Sequence, residues 1–132
     1  MHTPRARSVV ACGGDMKKLH GIRHFFASFG HSMSGLRYAV SEAAIRQELV
    51  LGGVHFVALW GLKVPFERGL LLTALWFLIL ITEVLNTGLE AVVDLASPDY
   101  HELAKRAKDL GSFAVFLALV LFFVSWPLAL IL

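Results

Sequence analysis

The sequence has a single cysteine and few charged residues, and each shortage excludes a class of protein. Cys12 by itself can form neither an intramolecular disulfide nor a cysteine metal site. Charged residues make up 17% of the 132 positions, whereas an ordinary soluble domain has about a quarter. Three stretches, 49–62, 69–82 and 110–132, carry no charge. This distribution argues against a soluble domain with one core and leaves little chain for a separate soluble domain.

Common nucleotide-binding and hydrolase motifs are also missing. The sequence has no Gly-x-x-x-x-Gly-Lys-Ser/Thr loop, Gly-rich dinucleotide fingerprint, His-Glu-x-x-His or Gly-x-Ser-x-Gly. The net charge is only +2 and the basic residues form no single stripe, so a nucleic-acid role has little support. No signal peptide is evident, and residues 1–18 are expected to be a disordered tail. Either Met1 or Met16 fits the first residue of the translated protein.

Apolar spacing predicts an all-α membrane protein whose single domain covers residues 19–132. Residues 19–48 carry apolar side chains three and four apart opposite basic ones, which is typical of an amphipathic helix in the membrane interface. Residues 49–65 and 69–94 are predicted to be the first two transmembrane helices, and 98–132 a cytoplasmic extension with the third. The run 49–62 makes only about 21 Å of helix, less than the about 30 Å apolar core of a bilayer. It also fits a buried core helix, and 19–48 also fits a soluble bundle.

Lysine and arginine positions indicate the orientation of the spans. Seven of the twelve precede Leu49, and three lie in the connection 97–109. We therefore predict a cytoplasmic N-terminus, with this connection on the same side of the membrane.

Four polar residues interrupt the second predicted span. Glu83, Asn86, Glu90 and Asp94 are three, four and four residues apart and therefore share one helix face. An acidic residue at the centre of a span costs about 2.5–3.5 kcal/mol on insertion scales. The stripe is therefore expected to face protein, water or a cation. A structural polar seam between helices is the alternative.

Two other polar groups are expected to join this stripe. Glu42 precedes the first span, and with Glu90 it can complete an oxygen site for Mg²⁺, which is commonly held by one or two carboxylates plus phosphates and waters. His101, Lys105 and Lys108 share a face of the last helix. Alone, each group is typical of a solvated surface or an exposed ion pair. Together they favour a ligand that combines a metal ion with phosphate.

Three blocks of sequence resemble the prokaryotic diacylglycerol kinase family in order and spacing. They are Glu-Ala-Ala-Ile-Arg-Gln-Glu at 42–48, residues 83–94 and residues 100–112, and the likeness runs from about Arg23 to the C-terminus. The resemblance implies a small kinase of the bacterial inner membrane that acts as a homotrimer with active sites shared between subunits. It further implies ATP- and Mg²⁺-dependent phosphorylation of diacylglycerol to phosphatidic acid.

The same resemblance implies roles for individual positions. Glu83 matches the catalytic base, and Glu42 and Glu90 match the metal-binding carboxylates. The positions that match ATP contacts are Arg23, His31, Glu42, Glu90, Asp99, Tyr100, His101, Lys108 and Asp109. The positions that match the lipid-binding site are Arg37, Arg46, Gln47, Glu48, Asn86 and Ser112. His31 stands where the family has Tyr, and Ile45 where it has Phe.

Three other functions are left open. Undecaprenol kinase activity, with the same mechanism on a polyprenol, is the closest. A small cation- or proton-coupled transporter would use Glu83 and Glu90 as relay groups, but such sites usually lie near the middle of the bilayer, whereas these acids approach one face. A non-catalytic anchoring or assembly protein would tolerate Glu83→Gln.

Overall fold

Four α-helices make up the part of the chain that the structure describes. The structure is a computed structural model that describes residues 22–131, with side chains from Ser28 onward. The helices are α1 (Ile22–Ser41), α2 (Ala43–Gly61), α3 (Phe66–Ala96) and α4 (Glu102–Ile131), and this range contains no strand. Among the described residues, those from Gly35 onward belong to one compact unit and the part of α1 before Gly35 belongs to another, and all the packing described below lies within the former. The all-helical prediction is confirmed.

The helix predicted over 19–48 is divided at Glu42. This residue has an extended backbone (φ −77°, ψ 137°) and is the N-cap of α2, while its N–H donates to the Ala39 carbonyl at 3.0 Å. α2 therefore begins at Ala43 and has 19 residues, which is about 28 Å of helix. The helix is therefore longer than the uncharged run 49–62, although the residues added at its start include Arg46 and Glu48.

Two of the described helices, α3 and α4, are long and apolar enough to cross a membrane. They contain 31 and 30 residues, so each is about 45 Å long, against about 30 Å for the apolar core of a bilayer. Each helix can therefore cross the membrane and still extend beyond it.

Side chains of α3 pack against both α2 and α4. Trp76 and Ile79 of α3 form a buried cluster with Ala118 and Phe122 of α4. Toward α2, the indole of Trp76 lies directly over Gly52, where a Cβ atom would overlap the ring. Its Nε1 donates to the Glu48 carbonyl at 3.0 Å. Gly52 thus lets the largest side chain of this core reach the backbone of the neighbouring helix.

A second polar link joins α2 to α3 farther along. His55 is 2% exposed, and its Nε2 lies 3.2 Å from Thr73 Oγ1. The Thr73 hydroxyl donates its proton to the Gly69 carbonyl at 2.7 Å, so Nε2–H is the donor in the shared hydrogen bond. At the same end of the helices, Arg68 donates to the Ala129 carbonyl of α4 at 3.0 Å. His55 Nε2 and Arg68 are thus satisfied by contacts between helices, whereas His55 Nδ1 is buried with no hydrogen-bond partner among the described residues.

The connection between α3 and α4 differs from the sequence prediction. Ser97 and Pro98 were expected to begin the last helix, but Ser97 ends α3 with a non-helical backbone (φ −140°, ψ 78°) and α4 begins at Glu102. Since proline disfavours the helical region for the residue before it, Pro98 ends the preceding helix. The N-cap of α4 is His101, whose carbonyl accepts from Lys105 N–H at 3.0 Å and whose Nδ1 accepts from Leu103 N–H at 3.1 Å.

Candidate active site

A cavity of about 330 Å³ opens where the start of α2 meets α3 and α4. We call it the acidic cavity, and the residues that line it are Glu42, Ala44, Glu83, Asn86, Thr87, Glu90, Ser112 and Val115. Helical spacing brings the α3 residues to one wall. The break before α2 brings Glu42 to the opening, where its side chain makes no capping hydrogen bond. Three carboxylates predicted from two sequence blocks thus share one cavity.

Burial increases toward the middle of α3. Glu83 is 8% exposed and Asn86 9%, whereas Glu90 is only partly buried. Glu83 precedes Glu90 by seven residues, so it lies about 10 Å deeper along the helix. A carboxylate at this depth is costly unless it serves a ligand or a partner group.

The amide of Asn86 orients Glu90. Its Nδ2 donates to Glu90 Oε1 at 3.1 Å. Its Oδ1 is buried, and no hydrogen-bond donor among the described residues reaches it. The amide rests on Gly111 of α4, where an added Cβ atom would overlap Oδ1. The sequence analysis overlooked this contact, because the spacing of polar residues on α3 contains no information about which α4 residue they face.

The other residues matched to the lipid-binding site lie outside the acidic cavity. Arg37, Arg46 and Gln47 are exposed. Arg46 donates from Nη1 to the Ser41 carbonyl at 2.8 Å, across the break between α1 and α2. Glu48 follows Arg46 by two residues on α2 and is partly buried. Its Oε2 has no hydrogen-bond partner among the described residues. Only Asn86 and Ser112 of this predicted set line the cavity.

A second cavity of about 300 Å³ lies at the connection between α3 and α4. We call it the loop cavity. Five residues matched to ATP contacts line it, namely Asp99, Tyr100, His101, Lys108 and Asp109, and Asp94 and Lys105 line it as well. Of the other four matches, Glu42 and Glu90 line the acidic cavity, His31 is exposed, and the side chain of Arg23 lies outside the described residues.

Ion pairs hold the cations of the loop cavity. Lys108 Nζ lies 2.6 Å from Asp94 Oδ1, and Lys105 Nζ lies 2.9 Å from Asp109 Oδ2. Lys108 precedes the uncharged run that begins at Leu110, and the hydrogen bond that it donates to Asp94 raises the pKa of its ammonium above the ordinary value. Lys108 therefore stays cationic at neutral pH and is available to an anionic ligand.

The carboxylates of the acidic cavity suit a metal ion that is also bound by the phosphates of a ligand, better than a metal site built from protein side chains alone. Among the described residues, no group of three or more His, Cys, Asp or Glu side chains converges in a metal-binding arrangement. Glu42 and Glu90 nevertheless line the same cavity. Two carboxylates whose remaining partners are phosphates and waters are the usual Mg²⁺ arrangement.

The described chain is thus helical, and two of its helices are long and apolar enough to cross a membrane. It carries an acidic cavity, partly buried, next to a second cavity that contains lysines. Comparison with known sequences identifies the family. The model of the prokaryotic diacylglycerol kinase family matches residues 30–130. The diacylglycerol kinase of Escherichia coli (strain K12) is 40% identical over 107 residues, which cover 80% of this chain and 88% of that protein.

Two other relatives carry the same name. The diacylglycerol kinase of Sinorhizobium sp is 38% identical over 101 residues, 76% of this chain and 74% of the relative. That of Helicobacter pylori (strain ATCC 700392 / 26695) is 32% identical over 110 residues, 83% of this chain and 86% of the relative. The chain therefore belongs to the prokaryotic diacylglycerol kinase family, and it is an enzyme of the lipid kinase class.

Proposed function

We propose that this enzyme transfers the γ-phosphoryl group of ATP to the hydroxyl of diacylglycerol, with Mg²⁺, and forms phosphatidic acid at the cytoplasmic membrane interface. One observation carries the proposal: the acidic cavity and the loop cavity follow each other along α3 and α4. Glu90 lines the first and Asp94, one turn later, the second. A lipid hydroxyl and a nucleotide can therefore meet between these helices.

Glu83 has the position of a general base. It lies deepest of the three carboxylates, where the head of a lipid embedded in the bilayer can reach it. It would accept the hydroxyl proton as the oxygen attacks the γ-phosphorus. General base catalysis of this kind contributes about 10²–10⁴-fold to a rate.

Glu42 and Glu90 would hold Mg²⁺ near the opening of the acidic cavity. When bound, this ion supplies charge neutralisation for the phosphate oxygens. Lys108 would exchange Asp94 for a phosphate of ATP, while the residues around His101 hold the rest of the nucleotide. Asn86 keeps Glu90 in one orientation, because its amide is fixed against α4.

We further propose that α2, α3 and α4 each cross the bacterial inner membrane, that the N-terminus is cytoplasmic, and that three copies assemble. The length of α2, about 28 Å for its 19 residues, supports its role as a span. Exposed apolar side chains on α2, such as Val50, Val54 and Val57, suit a lipid or subunit contact. The trimer rests on the family resemblance.

A phosphorylation assay tests the proposed reaction. Purified protein in mixed micelles is given radiolabelled ATP and Mg²⁺ with either diacylglycerol or undecaprenol. We expect labelled phosphatidic acid, and no product when Mg²⁺ is chelated. Turnover of undecaprenol alone would replace the proposed substrate. Ion flux in liposomes without any phosphorylated lipid would support the transporter function. If neither activity is found, the anchoring function would remain.

A further inference from the structure

Thr87 lies on the wall of the acidic cavity between the proposed base and the proposed metal ligand. It follows Glu83 by four residues and precedes Glu90 by three, so all three share one face of α3. Along the helix axis, Thr87 is about 6 Å from the level of Glu83 and about 4.5 Å from that of Glu90. This residue has no role in the family match described above.

The hydroxyl of Thr87 differs from those of the other threonines of α3. Thr73 donates to the Gly69 carbonyl at 2.7 Å, and Thr82 donates to the carbonyls of Leu78 at 3.0 Å and Ile79 at 2.8 Å. Such bonds to the preceding turn are the ordinary use of a threonine inside a helix. The Thr87 hydroxyl, in contrast, makes no such bond to the preceding turn within residues 28–131, so it remains available to a ligand in the cavity.

Hydrogen-bond donors are scarce in this cavity. Ionised Glu42, Glu83 and Glu90 only accept hydrogen bonds, and the Asn86 amide donates to Glu90. Ala44 and Val115 contribute no polar side-chain atom. Among the described lining residues, the side-chain donors that remain are the hydroxyls of Thr87 and Ser112 and the second Nδ2 hydrogen of Asn86.

The transferring phosphoryl group needs such donors. Its charge is spread over three oxygens that do not take part in bond making or breaking. Under the proposed function, the attacking hydroxyl lies at Glu83 and the metal-bound phosphates lie at Glu42 and Glu90. The group must therefore pass the level between them, and Thr87 is the α3 residue with a hydroxyl at that level.

We propose that the Thr87 hydroxyl donates a hydrogen bond to a nonbridging oxygen of the γ-phosphoryl group during transfer. The lipid hydroxyl loses its proton to Glu83, its oxygen bonds to phosphorus, and the bond from phosphorus to the leaving ADP oxygen breaks. Thr87 keeps its proton throughout and contributes only the hydrogen bond. This inference rests on the proposed lipid kinase reaction.

Three variants test it in the same mixed-micelle assay. Thr87→Val removes the hydroxyl and keeps the shape, Thr87→Ser keeps the hydroxyl, and Thr82→Val is the matched control on the same helix. Removing one donor to a developing charge costs about 10²–10³-fold in kcat in a well-characterised enzyme. We expect Thr87→Val to lower kcat about 10- to 100-fold with the KM values for ATP and lipid changed less than about threefold. Thr87→Ser and Thr82→Val should stay within about threefold of wild type.

Each other result has a defined meaning. A wild-type kcat in Thr87→Val overturns the inference and leaves the lipid kinase intact. Equal losses in Thr87→Val and Thr87→Ser, or a rise in the lipid KM alone, also overturn it, because they assign Thr87 to packing or ground-state binding. A wild-type protein that phosphorylates no lipid overturns this inference together with the proposed function. Thermal unfolding in detergent checks that the compared variants are equally folded.

Discussion

At the scale of the residue, the candidate site depends on a few side chains whose surroundings differ sharply. Glu83 and Asn86 are buried within α3, while Asp94 and Lys108 pair at its exposed end. α3 thus has a buried middle suited to proton transfer and an exposed end suited to a nucleotide.

Replacing the proposed base should remove activity without unfolding the protein. Glu83→Gln keeps the size of the side chain and removes a charge from a buried position, so we expect kcat to fall by at least about 10²-fold and thermal stability to be unchanged or higher. Glu67→Gln, at the exposed start of α3, is the matched control and should be fully active. An active Glu83→Gln enzyme would assign the base to another residue.

A methyl group at Gly111 should act through Asn86. In Gly111→Ala the new Cβ overlaps Asn86 Oδ1, so the amide must move and release Glu90. We expect a several-fold higher Mg²⁺ requirement and a loss of about 1–3 kcal/mol in unfolding free energy. Gly88→Ala, with open space around the new methyl, is the control. Identical metal titrations for the two variants would contradict the role given to Asn86.

Lys108 should matter for nucleotide binding more than for stability. Its ion pair with Asp94 is largely exposed, and pairs of this kind contribute about 0–1 kcal/mol. Lys108→Gln should therefore raise the KM for ATP about tenfold while leaving the lipid KM and the melting temperature nearly unchanged. Lys63→Gln, at the exposed turn before α3, serves as control. An unchanged ATP KM would exclude Lys108 from the nucleotide site.

At the scale of the element, the ends of the helices decide where the functional groups lie. The break at Glu42 frees a carboxylate for the acidic cavity, and the N-cap at His101 keeps the loop cavity next to α4. Between these ends, α2 and α3 approach closely at Gly52.

Two adjacent glycines in α2, Gly52 and Gly53, allow the close contact between α2 and α3 to be tested. Gly52→Ala places a methyl in the Trp76 ring, so the indole must leave the Glu48 carbonyl. We expect a loss of about 1–3 kcal/mol from overpacking. Gly53→Ala has open space and should gain up to about 1 kcal/mol from helix propensity. Reversible unfolding in detergent compares the two, and equal effects would contradict the close helix contact.

At the scale of the whole molecule, the proposed topology places the turn between α2 and α3 outside the cytoplasm and the turn between α3 and α4 inside it. Single-cysteine variants in a Cys12→Ser background test this. A membrane-impermeant maleimide should label Glu67→Cys in spheroplasts and label Glu102→Cys only after permeabilisation. The reverse pattern would invert the orientation, and labelling of both positions from outside would exclude α3 as a span, because α3 is the helix between them.

Part of the site was predictable from the sequence because it depends on position along single helices. The stripe of Glu83, Asn86 and Glu90 follows from helical spacing, and the charge-free runs mark the apolar lengths of α3 and α4. The break at Glu42 was not predictable, because no glycine or proline marks it and both flanking segments favour helix. The helix start at His101 was missed because Ser97 and Pro98 together resemble a helix start, although here Pro98 ends α3.

The sequence by itself determined the membrane character of the chain, the acidic stripe and the family, since periodicity, composition and motif spacing are local properties. Only the tertiary structure decided which residues of different helices meet. It placed Glu42 and Glu90 on one cavity, set Asn86 against Gly111, and left the hydroxyl of cavity-lining Thr87 without a bond to the preceding turn of its own helix. Contacts between helices depend on how side chains of unequal size pack. The residue pattern within one helix does not specify which residues of another helix it contacts.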